Sequence, residues 1–175
     1  MATNWNLDPT HSEIGFKVKH LMITNVSGSF GKFDVSATTE GDDFTTAKIA
    51  FSIETASVNT GNEQRDGHLQ SGDFFDSAAF PHMKFASTSV EKKDSENYVV
   101  HGDLTIRDVT KPVQFNVEFG GIGVDPWGNT KGGFSVSGKI NRTDFNLNWN
   151  AALEAGGVLV SEEVKLHAEI QLVKA

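Results

Sequence analysis

The sequence predicts an all-β fold: an eight-stranded antiparallel barrel with one short helix (residues about 62–72) at one end, in a single domain spanning 1–175. Three observations point there. Apolar and polar residues alternate with period two in about eight short runs bounded by Gly, Asn and Asp. Only one stretch, 60–85, breaks that alternation with a helix-like turn. No helical layer is therefore available to cover the apolar faces, so the sheet closes on itself or, as the alternative, folds over as a sandwich.

Residues 5–9 form a short extended lead-in ending in a turn. The first strand sets Ile14, Phe16, Val18 and His20 on one face against Glu13, Lys17 and Lys19. The second carries Phe30, then Phe33, Val35 and Ala37. Its parity slips beside Gly28 and Gly31, which predicts a bulge or barrel-corner kink. A third turns Ile49, Phe51, Ile53 and Thr55 inward. In the stretch that follows, Thr60 with Glu63 reads as a capping box and Gly72 as a C-terminal stop. The helix between has Leu69 as its one large apolar residue. It is expected to be a surface piece closing one end of the barrel, with Phe74, Phe75 and Phe80 pointing into the mouth or its wall.

Met83 and Phe85 mark a fourth strand; Tyr98, Val100, Gly102, Leu104 and Ile106 a fifth; Val113, Phe115, Val117 and Phe119 a sixth. Residues 120–129 read as a loop. Phe134, Val136, Gly138 and Ile140 face inward from a seventh strand, and Val164, Leu166, Ala168, Ile170 and Leu172 from the last. The long segment 146–161, with Leu147 and Trp149, reads as a second flap at a barrel mouth.

Composition narrows the function. Thirteen Phe against one Tyr favours an interior free of hydrogen-bonding groups. A net charge of −8 with scattered Lys and Arg argues against nucleic acid and anionic membrane surfaces. With no cysteine, thiol chemistry and Cys-ligated metals are excluded. No run is apolar enough for a spanning helix, and no secretion signal is present, so the chain as written is expected in the cytoplasm, or in the periplasm if it is a processed form.

A barrel of this size is either filled or holds one small ligand. Ala37, Gly102, Gly138 and Ala168 among bulky neighbours fit jigsaw packing or an elongated apolar channel. The channel reading makes Phe16, Val18, His20, Phe30, Phe33, Phe51, Ile53, Phe74, Phe75, Met83, Phe85, Leu104, Ile106, Phe115, Phe134, Val136, Ile140 and Phe145 its lining. His20 and Arg142 are the head-group candidates. His20 otherwise reads as a rim histidine, and Arg142 as the partner of Asp144 in a structural ion pair. An anionic pyrophosphate head would call on Arg65, Arg107, Lys111 or Arg142 near the mouth. The six histidines show no local metal spacing, and no nucleophile elbow, P-loop or dinucleotide fingerprint occurs. Neither catalytic residues nor a metal or cofactor is expected.

A series of motifs in order carries a resemblance: Trp5-x-x-Asp8-x-x-His11-Ser12-x-x-x-Phe16-x-Val18-x-His20, Gly28-x-Phe30-x-x-Phe33, Asp66-x-His68-Leu69-x-Ser71-x-Asp73-Phe74-Phe75-Asp76, Phe80-Pro81-x-x-x-Phe85, Gly102-Asp103-Leu104-Thr105-Ile106-x-x-Val109-Thr110-Lys111-Pro112 and Asn141-Arg142-x-Asp144-Phe145. Over essentially its full length the chain resembles the YceI-like family of polyisoprenoid-binding, lipocalin-like barrels. It departs at Asn146, where the family usually has Gly. The resemblance implies an extended lipocalin-like β-barrel whose apolar pore binds, sequesters or transports a polyisoprenoid, isoprenoid quinone or fatty-acid-like lipid, without catalysis. A homodimer that hides apolar rims is a further expectation. The alternatives are an enzyme using the barrel as a reaction chamber around His20 or Arg142, and a stress-related interaction protein with a filled core.

Overall fold

The computed structural model describes residues 2–21, 23–150 and 159–175. Its strands are β1 (Ala2–Leu7), β2 (Glu13–His20), β3 (Thr24–Phe30), β4 (Phe33–Glu40), β5 (Asp43–Glu54), β6 (Val58–Asn59), β7 (His82–Lys92), β8 (Asn97–Ile106), β9 (Val109–Val124), β10 (Thr130–Asn141) and β11 (Val160–Lys174). The described residues include one α-helix, α1 (Glu63–Gln70).

These segments close an eight-stranded antiparallel barrel. β1 and β2 act as one interrupted strand, β3 and β4 as another, and two-residue β6 adds to β3. From β4 through β5, β7, β8, β9 and β10 to β11, each strand pairs with the next. β11 closes the ring on β1 at Leu172↔Leu7 and on β2 at Glu169↔Glu13. The kink between β3 and β4 falls where the parity slips. There the Gly31 N–H donates to Ser57 and the Lys32 carbonyl accepts from Glu54, so the corner is held by the chain beyond β5.

Four local expectations need correction. Residues 2–7 form a full strand of the barrel, not a lead-in, and Trp5 is completely buried. The N-cap of α1 is Asn62, whose side chain accepts from the Arg65 N–H. Thr60 lies too far upstream; its hydroxyl instead donates to Asp66 and accepts from Arg65 Nε. The helix ends at Ser71, whose N–H and hydroxyl both bond the His68 carbonyl, so Gly72 is not its stop. Finally, residues 120–124 continue β9, with Gly121↔Gly133 and Gly123↔Lys131 in register, and only 125–129 turn. Glycines hide the alternation but keep the backbone groups that make a ladder. Asp125 fixes that turn, accepting from the N–H groups of Trp127 and Asn129, both at 2.9 Å.

The register separates two barrel ends. At one, Trp5 donates its indole N–H to buried Thr39 at 2.9 Å, and Phe44 sits 5.0–5.1 Å (ring centroids) from Trp5, Phe119 and Phe134. This aromatic cluster fills the end. At the other lie the β2–β3 turn, α1 with the segment down to Pro81, and the chain joining β10 to β11.

At the filled end Asp8 ties β1 to the β9–β10 hairpin. Its carboxylate accepts from Lys131 Nζ at 2.7 Å and from the Thr10 hydroxyl at 2.8 Å, and His11 Nδ1 lies 2.9 Å away. Chiefly the Lys131 hydrogen bond, helped by His11 and Thr10 against the cost of burial, holds Asp8 well below the usual carboxylate range; Asp8 in turn raises Lys131. A depressed carboxylate stabilises the fold above its unfolded value of 3.8 and loses that contribution as pH falls through the folded value. The raised lysine contributes below 10.5 and is lost above it. Melting temperature against pH should therefore show a plateau between those limits. Asp8→Asn should lower the plateau and flatten its acid limb; an unchanged acid limb would show that other carboxylates set it.

Candidate functional site

The barrel encloses a cavity of about 380 Å³. Its wall comes from the alternation: each strand places one residue in two on the inside, and almost all of these are Phe, Ile, Val or Leu. Of the residues expected to line it, Phe16, Val18, Phe30, Phe51, Ile53, Phe74, Phe75, Met83, Phe85, Leu104, Ile106, Phe115, Phe134, Val136 and Ile140 stand on this wall, as do His20 and Arg142.

Three phenylalanines stand elsewhere. Phe33 directly follows the β3–β4 kink, stands opposite Ile53 of β5 and packs, partly buried, against the apolar core. Phe145 is 1% exposed inside the packed core, because the 3-10 turn at Arg142–Phe145 winds it out of strand parity. Phe80 lies outside the mouth, its ring 5.7 Å from the Arg107 guanidinium.

The small inward residues divide into two kinds. A Cβ on Gly102 would stand 2.4 Å from Phe85 Cζ and 2.5 Å from the Ala86 carbonyl oxygen, and one on Gly138 would stand 2.8 Å from Phe115 Cδ1. These glycines seat phenylalanine rings and leave no void. Ala37 and Ala168 line the cavity itself. Gly102→Ala should therefore cost about 1–3 kcal/mol through overpacking. Urea unfolding checks it, and a change within a few tenths of a kcal/mol would mean the ring moves freely.

The helix end supplies the polar part of the lining: Lys19, His20, Thr60, Arg65, His68 and Arg142. His68 lies edge-on to Trp149 (4.6 Å) and Phe74 (5.1 Å), and its Nε2 is 2.8 Å from Asp73. Leu69 and Trp149 complete the closure, so α1 contributes wall as well as surface. The sequence does mark Leu69 and Trp149 as apolar interruptions, whereas His68 carries no signal before the fold brings it inward.

Arg142 is not paired with Asp144, which is exposed. It is 3% exposed and donates to four backbone carbonyls: Nε to Ser161 (2.9 Å), Nη1 to Leu147 (2.6 Å) and Trp149 (2.8 Å), and Nη2 to Val160 (3.3 Å). It thus gathers both ends of the β10–β11 connection, where Asn150 also exchanges two hydrogen bonds with Val160. Burial lowers the Arg142 pKa from its usual value, partly opposed by Glu162, yet a guanidinium stays charged. Asn146 closes the turn in the left-handed region (φ 62°), which explains why Gly is usual there and why Asn, the next most tolerant residue, replaces it. The expected flap lies mainly at 151–158, outside the described residues. Arg107 and Lys111 do not line the cavity. Arg107 bonds the carbonyls of Gly72 and Phe74, and Lys111 borders a separate groove on the outer face.

Comparison with known proteins agrees with this architecture. A UPF0312 protein of Staphylococcus aureus strain N315 is 44% identical over 170 residues, covering 97% of this chain and 96% of that protein. The Campylobacter jejuni YceI protein superposes with a TM-score of 0.78 at 35% identity, over 97% of this chain and 96% of that one. A polyisoprenoid-binding domain from Saccharophagus degradans shares the fold, with a TM-score of 0.66 at 16% identity and 98% of each chain covered. The model of the YceI-like domain matches residues 5–172, and the chain belongs to that family.

Proposed function

We propose that this protein binds one long apolar or amphiphilic lipid, polyisoprenoid-like or fatty-acid-like, inside the barrel, and sequesters or carries it without chemical change. The observation that carries this reading is the cavity: a phenylalanine-rich wall, filled at one end by aromatic rings and polar only at the other. Such a site matches a chain with a single polar head. The polyisoprenoid-binding domain that shares the fold is consistent with it. Among the described residues the lining holds no carboxylate, serine or thiol, so a binding role fits it better than a catalytic one.

Native mass spectrometry of freshly purified protein tests the reading. A stoichiometric lipid adduct, recovered unchanged after long incubation, is the expected result. Protein that carries no lipid and takes up none on titration would overturn it. Phe74→Ser with Phe75→Ser should shorten lipid retention while circular dichroism stays that of a barrel. Both rings stand on the cavity wall, and Phe74 also packs on Trp149 (centroids 5.6 Å).

A further inference from the structure

The sign of the charges around the cavity runs against the charge of the chain. The protein has 23 acidic and 15 basic residues. Among the described residues, every titratable carboxylate is nevertheless missing from the lining, whose ionisable side chains are Lys19, Arg65, Arg142, three histidines and Tyr98. Apart from Tyr98, these groups come from the end of β2, α1, the close of β10 and the outer-facing His167 of β11. Of the acids in α1 and its following turn, Asp66 accepts from Thr60 and Asp73 bonds His68. Neither lines the cavity.

Arg142 is the sharpest case. No carboxylate among the described residues comes within ion-pair distance of its guanidinium, which is buried against apolar rings, with Phe74 6.0 Å from Cζ. A guanidinium has five N–H groups. Its four carbonyl bonds leave one Nη2 N–H without an acceptor among the described residues. Carbonyls satisfy hydrogen bonds but supply no compensating charge, and an uncompensated buried cation is costly. The chain's net charge opposes an approaching anion only weakly at physiological salt, where screening acts over about 8 Å. Within the mouth, desolvation strengthens the nearby cations instead.

Resting on the lipid-binding reading above, we infer that the mouth selects an anionic head group, a carboxylate or a phosphate, over a neutral head on the same chain. The apolar tail occupies the barrel, and the head lies at the helix end beside Arg142, Arg65 and His68. A charge-assisted hydrogen bond to the anion replaces a solvated one, and the head neutralises the buried guanidinium. Quinones, alcohols and amides can accept a neutral hydrogen bond but bring no charge to the guanidinium.

Calorimetric titration of lipid-stripped protein with four probes of one chain length tests this: hexadecanoate, hexadecyl phosphate, hexadecanol and hexadecanamide. Either anion, or both, should bind at least about tenfold tighter than the alcohol and the amide. Which anion leads identifies the source of the head. The double variant Lys19→Gln, Arg65→Gln leaves the Arg142 loop clamp in place and should shrink the ratio of anion to hexadecanol affinity severalfold. Equal affinity for all four probes would overturn the head-group inference and leave lipid binding standing. Failure of all four, alcohol included, would remove both. An unchanged preference in the double variant, with anions still favoured, would trace the selection to Arg142.

Discussion

Arg142→Met is expected to destabilise the protein by about 2–4 kcal/mol, the cost of leaving buried backbone carbonyls without a donor at about 1–3 kcal/mol for each that stays dry. The side chain lost is the one that collects the carbonyls of Leu147, Trp149, Val160 and Ser161. Methionine fills much of the volume but donates nothing, so several part-buried carbonyls lose their partner together. Arg142→Lys should recover only a fraction, because one ammonium cannot reproduce a planar fork serving four acceptors. Denaturant unfolding with both variants checks this. Loss of stability in Met that Lys restores fully would mean that charge alone matters and the fork does not.

Ala168→Phe is expected to abolish lipid uptake while changing stability by less than Gly102→Ala does. Ala168 stands on the cavity wall, level with Val136 on one side and Ile14 on the other, so a phenyl ring enters space that a lipid tail would use. Gly102 has no such space, its missing Cβ being replaced by the Phe85 ring. The two positions look alike in the sequence, each a small residue at inward parity. They should differ in opposite ways: one variant loses the ligand and keeps the fold, the other keeps its cavity and loses stability. Titration with hexadecanoate beside urea unfolding reads both. Lipid uptake by Ala168→Phe equal to that of the parent chain would show that the tail lies elsewhere.

That contrast shows where reading the sequence stops. Period two states which side chains share a face, and thirteen of the apolar wall residues lie on strands where the pleat puts them on the cavity side. It fails where the chain leaves strand geometry. Phe145 lies in a 3-10 turn that takes it out of strand parity, while Phe33 keeps the inward register of Val35 and Ala37 but packs into the core beside the kink. The capping box at Thr60 matches the motif in letters, but the helix begins three residues later and Asn62 takes the role. The extension of β9 through 120–124 is silent because glycine has no side chain to alternate.

By itself, then, the sequence determined an all-β fold of alternating strands with an apolar interior. These depend on local pleat, turns and the need to cover apolar faces, all of which a run of ten residues carries. The pairing of β11 with both β1 and β2 decided closure as a barrel over a sandwich. Only the tertiary structure decided which small residues border empty space and which seat a ring, because that depends on side chains meeting across strands. It also decided what Arg142 does. Residues 142 and 144 look like an ion pair when read along the chain. Closure of β10 against β11 brings four carbonyls to the guanidinium instead, and places it on the cavity wall.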